Sequence, residues 1–564
     1  MTASDRLRLR DIDRSLSHAR LATRYVAEDW LPVRLLDDGT LLVATAHRAH
    51  DAALLDALRE EQGRRVRFVE VPEWELKALF VRLFSDHVAD RAANTLFERS
   101  PELSGRVVFS RGQKIGGIVL AVVLVGLAIP WPWQVLTGIV TVISVVFLAG
   151  TAFKFVVAMQ GARYDVVERI SAAEVERLDD ADLPVYTVLV PVFREANIVA
   201  QLIDNLGDLD YPVHLLEVLI LIEEEDDETR AAIESASPPA HFHVVTVPRG
   251  HPQTKPRACN VGLSLATGDF VVIYDAEDTP DPDQLKKALI AFERGGPETV
   301  CVQAALNYFN AGENALTRMF TLEYSYWFDY MLAGLDYSNL PIPLGGTSNH
   351  FRTSALVELG GWDPYNVTED ADLGIRASAI GYRVGVINST TMEEANTSIP
   401  NFIRQRSRWI KGYMQTTLVH ARRPVALIRE IGPVRFAAFA LLIGGTPAIF
   451  LGVIPFYLLS AVTLLVPASV LAQVFPPWLL WICLFNFLVG NSVMVYLTMM
   501  GPFKRGTFNL IVWALLNPVY WVLHSIAAYK GLWQLLTRPH YWEKTEHGLT
   551  QHPQGGEGAP VASA

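Results

Sequence analysis

Positive charge is too scarce in this 564-residue chain for a nucleic-acid binder. Lys and Arg number 48 against 60 Asp and Glu, a formal charge of −12, where binding to phosphate backbones calls for a basic excess. Cysteine is scarcer still. Three residues, Cys259, Cys301 and Cys483, are too few and too scattered for a disulfide scaffold or a zinc site, and a reducing compartment is expected where Cys259 and Cys301 sit. The opening stretch MTASDRLRLRD has no apolar core, which argues against a cleavable signal peptide there. Charged residues make up only 19% of the chain while half is hydrophobic, and the mean hydropathy is +0.22. That balance excludes a disordered chain and exceeds that of an ordinary soluble enzyme. At roughly 150 residues per domain the length suggests three or four units.

Charge is absent altogether from certain stretches. No Asp, Glu, Lys or Arg occurs over the 39 residues between Lys114 and Lys154, nor over the 68 residues 436–503, and a third such run covers 506–529. A spanning helix takes about 20 apolar residues. The break IPWPWQ at 129–134 divides the first run into two expected helices, about 115–131 and 134–157. Basic residues flank this hairpin: Arg106, Arg111 and Lys114 before it, Lys154 and Arg163 after it. By the positive-inside rule both flanks are cytoplasmic. Prolines at 447, 455, 467, 476 and 477 cut the second run. Two spans there leave the C-terminal tail outside and three leave it inside. The basic tail (Lys530, Arg538, Lys544) favours inside, so six spans in all are expected. The alternative is that one stretch lies flat at the interface.

The resulting organisation is a small α/β domain over 1–105, a transmembrane hairpin over 106–160, a large domain over 161–432 with an interfacial helix, C-terminal transmembrane helices over 433–530 and a cytoplasmic tail over 531–564, its end disordered. In the large region, strand-like runs at 185–192, 215–225, 242–248 and 269–278 alternate with helical ones, from about 195 and over about 256–266. Such alternation predicts an open, mostly parallel α/β sheet, and ligands bind such sheets beyond the carboxyl ends of the strands. Two acid clusters stand at those ends, EEEDDET (223–229) and YDAED (274–278). Strand-end carboxylates such as Asp275, Glu277 and Asp278 are the donor set a hard divalent cation needs to meet a diphosphate.

The motifs VPVFREANIV (190–199), TKPRACNVGL (254–263), YDAEDTPDPDQL (274–285), LGGTSNHF (344–351), VTEDADLGIRASAIGYRV (367–384) and RQRSRW (404–409) occur in this order. Together they resemble the membrane-bound inverting GT-A (Rossmann-like) glycosyltransferases of the cellulose, hyaluronan and chitin synthase type, over about 184–412. The resemblance implies a sugar-nucleotide donor, a UDP-sugar, an acceptor hydroxyl and Mg²⁺ or Mn²⁺. It makes Asp370 of T-E-D the general base, with Glu369 positioning it. Donor contacts fall to Glu195, to Glu223 or Glu224 after the second strand, to Lys255, to Asp275, and to Gln405 and Arg408 of Q-x-x-R-W. Metal contacts fall to Asp275, to Glu277 in place of the family's second Asp, and to Asp278. Acceptor contacts fall to Gly346, Thr347 and Ser348 and to the face of Trp409.

The N-terminal region reads as strand 40–46, amphipathic helix 51–63, strand 65–71 and helix 73–84. It is similar to the N-terminal domain of type II secretion ATPases, some of which bind cyclic di-GMP. Arg6, Arg8, Arg10 and Arg14 could meet phosphates, but docking of a partner protein is the favoured expectation. The functional expectation is a processive enzyme of the bacterial inner membrane, its catalytic domain cytoplasmic. It would polymerise a UDP-sugar into a β-linked exopolysaccharide, the growing chain being the acceptor, and pass that chain through the bilayer, as in biofilm matrix synthesis. The alternatives are single transfer to a lipid-linked acceptor, or a membrane scaffold or receptor with a degenerate transferase domain.

Overall fold

Where charge is absent the backbone must satisfy its own hydrogen bonds, and the chain does so as helices. The computed structural model describes residues 12–17, 25, 30–46, 63, 65–163 and 169–543. Among them five helices are long and apolar enough to cross a membrane: α3 (Arg111–Ala128), α4 (Pro132–Arg163), α12 (Pro424–Thr463), α13 (Pro477–Arg505) and α14 (Phe508–Thr537). Six were expected. Residues 436–503 hold most of two such helices rather than three, because Pro467 and the pair Pro476–Pro477 confine the piece between them to seven residues, Ala468–Val474. Ser110 and Gln113 close a reciprocal cap at the start of α3, which satisfies otherwise orphaned N–H groups.

The large domain is built on an eight-stranded mixed sheet. Its strands are β4 (Tyr186–Val192), β5 (Leu216–Glu223), β6 (Phe242–Val247), β7 (Phe270–Ile273), β8 (Thr279–Pro280), β9 (Thr299–Tyr308), β10 (Asn349–Arg352) and β11 (Arg383–Glu393), in the order β6-β5-β4-β7-β10-β9-β11-β8. The first four are parallel. β10 runs antiparallel to both β7 and β9, while β9 and β11 are parallel, so the sheet is mixed, with the mostly parallel character expected in β6-β5-β4-β7. Every residue of β5 is buried, which explains why it reads as an unbroken apolar run. β7 ends at Ile273, two residues before Asp275. The acids therefore sit on a turn, closed by Asp278 N–H donating to Asp275 O (3.1 Å) and Asp275 N–H donating to Asp278 Oδ2 (2.8 Å).

Helices α5 (Val199–Gly207), α6 (Asp227–Ala236), α7 (Lys255–Leu263) and α8 (Gln284–Gly295) alternate with these strands. Helix α9 (Ala315–Tyr326) packs on α13 and α14, helix α10 (Glu369–Ala379) carries the T-E-D acids at its start, and α11 (Ile399–His420) packs along α14. The first apolar pair meets the domain through glycines. A Cβ on Gly161 of α4 would fall 2.1 Å from Tyr330 O, and one on Gly334 would fall 2.0 Å from Val157 O.

The N-terminal module is a three-stranded sheet, β1 (Trp30–Leu35), β2 (Leu41–Thr45) and β3 (Val66–Glu70), followed by α1 (Glu73–Leu83) and α2 (Ser85–Arg99). β2, β3 and α1 fall on expected segments, whereas β1 and α2 were not read from the sequence. The expected helix 51–63, the arginines at 6, 8 and 10 and the tail beyond 543 lie outside the described residues, as does the Arg14 side chain. The module docks through α2 onto α7: Asn260 Nδ2 donates to Ala92 O (2.9 Å), and Trp74 stacks on His243 at 4.4 Å. The connecting segment is gripped by Arg422, which donates to the carbonyls of Pro101 (3.1 Å), Glu102 (2.6 Å) and Ser104 (3.0 Å).

Candidate active site

The carboxyl ends of β4, β5 and β7, the start of α7, the loop before β10, the start of α10 and one face of α11 enclose a cavity of about 380 Å³. It brings together Glu195, Glu223, Lys255, Asp275, Glu277, Gly346, Thr347, Glu369, Asp370, Gln405, Arg408 and Trp409. Glu224, Asp278 and Ser348 do not reach it. Glu224 is at the surface, 3.8 Å from Arg249. Asp278 is fully buried, its Oδ2 accepting from Asp275 N–H and from the Thr347 hydroxyl. Ser348 turns inward at φ 56° and donates to Thr391 Oγ1 (2.6 Å). A turn that closes on Asp278 cannot also present it outward, and D-x-E is left as the cavity-facing pair.

Lys255 is the hub of the floor. Its ammonium donates to Asp275 Oδ1 and to Gly346 O (2.8 Å). Burial opposes its charge, but Asp275 and then Glu369 more than offset that and hold the amine protonated. Glu223 gives both oxygens to Arg257 Nη2 (2.9 and 2.7 Å) inside the wall. Burial still raises its pKa against that partner. Gln405 Oε1 accepts from Asn396 Nδ2 (2.8 Å).

Asp370 stands at the start of α10, where its Oδ1 accepts the Ala371 N–H (2.7 Å) and its Oδ2 would lie 3.5 Å from a Cβ on Gly346. Burial pushes its pKa up to about 6, while Lys255 and Arg408 restrain the rise. Glu369 is also raised, by burial first and by Asp370 next. The helix is anchored one turn on. Asp372 accepts from Arg376 Nε (2.8 Å) and lies 3.0 Å from His420 Nε2, while Arg376 donates to Leu359 O (2.7 Å) and Gly361 O (2.9 Å).

Among the cavity residues that went unread in the sequence, two bear on the chemistry. Glu393, at the end of β11, faces the acids, and its carboxyl is held far above its ordinary range by burial and by Asp278, Glu277 and Asp275. Trp542, in the tail, lies with its ring 4.5 Å from the Arg408 guanidinium carbon. The tail is tied down where Lys411 Nζ donates to Tyr541 O (2.6 Å) and Gln415 Nε2 donates to Pro539 O (3.0 Å). A Tyr-Trp pair in a polar tail, outside every motif, gives no local signal. Glu393 sits on a strand whose neighbours are equally polar.

The electrostatic balance suits a particular ligand class. Seven carboxyl side chains (Glu195, Glu223, Asp275, Glu277, Glu369, Asp370 and Glu393) line the cavity against two cations, Lys255 and Arg408. An anionic diphosphate enters such a site only with a divalent cation to bridge it. Among the described residues no group of three or more His, Cys, Asp or Glu side chains is gathered closely enough to hold a metal by itself, so phosphate oxygens would have to complete its shell. Arg408 Nε is buried without a hydrogen-bond partner, a donor suited to phosphate.

Residues 184–412 match the family described as "Glycosyltransferase like family 2". Among curated proteins, the probable glycosyltransferase YdaM of Bacillus subtilis (strain 168) is 29% identical over 244 residues, 42% of this chain and 57% of that one. Glucomannan 4-beta-mannosyltransferase 2 of Arabidopsis thaliana is 27% identical over 248 residues, 42% of this chain and 46% of that one. The chain thus spans about half the length of the curated relatives it matches. Among solved structures, mannosyltransferase PcManGT from Pyrobaculum calidifontis in complex with GDP-Man and Mn²⁺ is similar at a TM-score of 0.44 and 18% identity, over 71% of this chain and 99% of that one.

Proposed function

We propose that this chain is an inverting, sugar-nucleotide-dependent glycosyltransferase working at a membrane surface, and that it extends a β-linked polysaccharide. The observation that carries the reading is the position of Asp370. It lines the donor cavity and also a second cavity of about 230 Å³, bounded by Tyr324, Trp327, Trp409, Tyr520 and Trp521. A buried carboxylate with a raised pKa is suited to take a proton at neutral pH. The acceptor oxygen attacks the anomeric carbon from the second cavity, its proton passes to Asp370, and the bond to the diphosphate breaks with the electron pair leaving on the nucleotide. Arg408 and Lys255 receive the developing charge, and Trp409 offers a flat face to the acceptor sugar. Asp275 and Glu277 would hold Mg²⁺ or Mn²⁺, which supplies charge neutralisation for the diphosphate.

Support for a polymer comes from the aromatic lining of the second cavity and from the curated relative named for glucomannan. Aromatic faces of that kind would hold successive sugars of a hydroxyl-rich chain. The N-terminal module is read as a docking or regulatory element, since it rests on α7, the helix that carries Lys255. The test is nucleotide release by the full chain in lipid nanodiscs with Mg²⁺ or Mn²⁺, across a panel of UDP- and GDP-sugars. One donor should turn over, and Asp370→Asn should lower kcat by about 10³-fold or more while nucleotide affinity holds. Undiminished turnover in that variant removes Asp370 from the role of base.

A further inference from the structure

A third chamber, of about 110 Å³, lies beyond the acceptor cavity, and the two share Lys154, Thr446, Phe450, Met494 and Trp521 as wall. Lys154 is on α4, nine residues before Arg163, or roughly 14 Å below that helix end at ~1.5 Å per residue. Its ammonium forms no hydrogen bond and no ion pair within 4 Å among the described residues. The acid that acts on it, Glu323, already gives its oxygens to Arg406 (2.8 and 2.7 Å) and to the Tyr520 hydroxyl (2.7 Å). The wall thus keeps one uncompensated cation between two spaces of different character. A cation walled between two cavities with no protein partner is costly unless a ligand or water meets it.

On the active-site side the cavity is polar and aromatic, and the Tyr326 hydroxyl there is buried without a partner. On the far side Ile143, Phe147, Ile449, Val453 and Phe456 give the chamber a largely apolar surface, with Ser144, Thr151, Asn486 and Asn491 at its wall as well. From Asp370 outward the order is aromatic sugar platform, lone cation, apolar chamber. That is the order of groups in a saccharide joined through phosphate to a hydrocarbon chain.

We propose that the primer for this enzyme is a phosphate-linked lipid saccharide, its sugar on Trp409, its phosphate on Lys154 and the start of its hydrocarbon in the far chamber. The inference rests on the transferase reading above and names the acceptor that starts the chain.

The test uses the full chain in phosphatidylcholine nanodiscs with saturating UDP, so that the donor site is filled. Farnesyl diphosphate should raise the Tm, and farnesol should raise it far less. Lys154→Gln should weaken the farnesyl diphosphate response about tenfold, the size of one charge-assisted hydrogen bond, with the farnesol response and the UDP affinity unchanged. Lys154→Arg should restore it. With undecaprenyl-diphosphate-glucose and octyl glucoside as acceptors, the same Gln variant should raise KM for the first alone and leave kcat near the parent value. An unchanged farnesyl diphosphate response in the Gln variant overturns the proposal. So does a Lys154-dependent response to inorganic diphosphate or an oligoglucuronide as strong as that to farnesyl diphosphate, which would make the site a general anion or acidic-glycan subsite. If no sugar nucleotide turns over but farnesyl diphosphate still binds through Lys154, the transferase reading falls and the lipid-phosphate site stands.

Discussion

At the scale of single residues the chemistry turns on how burial and neighbours divide the charge. Asp370 is raised to about 6 chiefly by burial, with Lys255 and Arg408 pulling it back. A general base works only when deprotonated, so kcat/KM should fall about tenfold per pH unit below that value. Lys255 favours the ionised carboxylate, so Lys255→Met should move the acid limb to higher pH as well as weaken donor binding. A pH–rate series on both proteins checks the sign, and an acid limb that stays in place in the Lys255 variant shows that the amine does not act on the base. The residues of this centre were readable because each lies in a short local pattern: Asp275 and Glu277 two residues apart on one turn, Asp370 at a helix start, Arg408 and Trp409 adjacent on α11. Asp278 and Ser348 belong to the same patterns but point inward, because the direction of a side chain on a tight turn depends on which backbone N–H groups it must satisfy. Trp542 and Lys154 were not readable as site residues, since their proximity to Asp370 and Glu323 comes from tertiary packing alone.

At the scale of elements, α11 joins the active site to the apolar helices. Its Arg408 and Trp409 face the cavity, Arg406 pairs with Glu323, and Gly531 of α14 crosses it closely enough that a Cβ there would lie 2.8 Å from Ser407 O. On α11 itself the contact sensitive to size is Gly412, where a Cβ would fall 2.2 Å from Thr368 Oγ1 and 2.4 Å from its methyl. Thr368 immediately precedes Glu369 and Asp370. Gly412→Ala must displace that loop or the helix, and overpacking of this kind costs about 1–3 kcal/mol. We expect a lower Tm and a kcat reduced at least severalfold with donor KM little changed, because the base shifts while Lys255 and Asp275 do not. Gly432→Ala, at φ 82° with open space around it, should lower Tm through backbone strain alone and leave kcat intact, so the pair separates active-site displacement from general destabilisation. Periodicity and turn residues announced most strands, since β4, β5 and β6 are apolar runs bounded by Pro, Gly or acids. The antiparallel insertion of β10 was not readable, because a four-residue strand takes its direction from the sheet it joins.

At the scale of the whole molecule, the contacts of the five apolar helices and of the tail lead to a testable expectation of how many cross. The turn between α3 and α4 and the stretch before α13 lie together, with Thr137 donating to Val474 O at 3.2 Å. That places them on the face away from the α/β domain. At the other end of α13, Lys504 donates to Gly161 O (3.1 Å) and Arg505 pairs with Asp329 (2.6 Å), so α13 returns to the domain side. Helix α14 then starts beside α9, where Arg318 lies 4.5 Å over Trp513, and ends where Lys411 and Gln415 of α11 hold residues 539 and 541. Both of its ends touch the same domain. A helix that begins and ends on one side has not crossed, whatever its hydropathy, and an apolar helix that lies along a membrane surface satisfies its backbone as well as one that spans it. If α14 lies along the surface, four crossings by α3, α4, α12 and α13 would return the tail to the side of the α/β domain, the side its basic residues favour, two fewer than the six spans expected from the sequence. Single cysteines at Arg538, at Glu98 in the N-terminal module and at Ile129 in the far turn, placed in a background lacking the native cysteines, test this with a membrane-impermeant maleimide on sealed vesicles of either orientation. Arg538→Cys should label together with Glu98→Cys and opposite to Ile129→Cys. Labelling of Arg538→Cys together with Ile129→Cys would mean that α14 does cross, and the strap that brings Trp542 onto Arg408 could then not form.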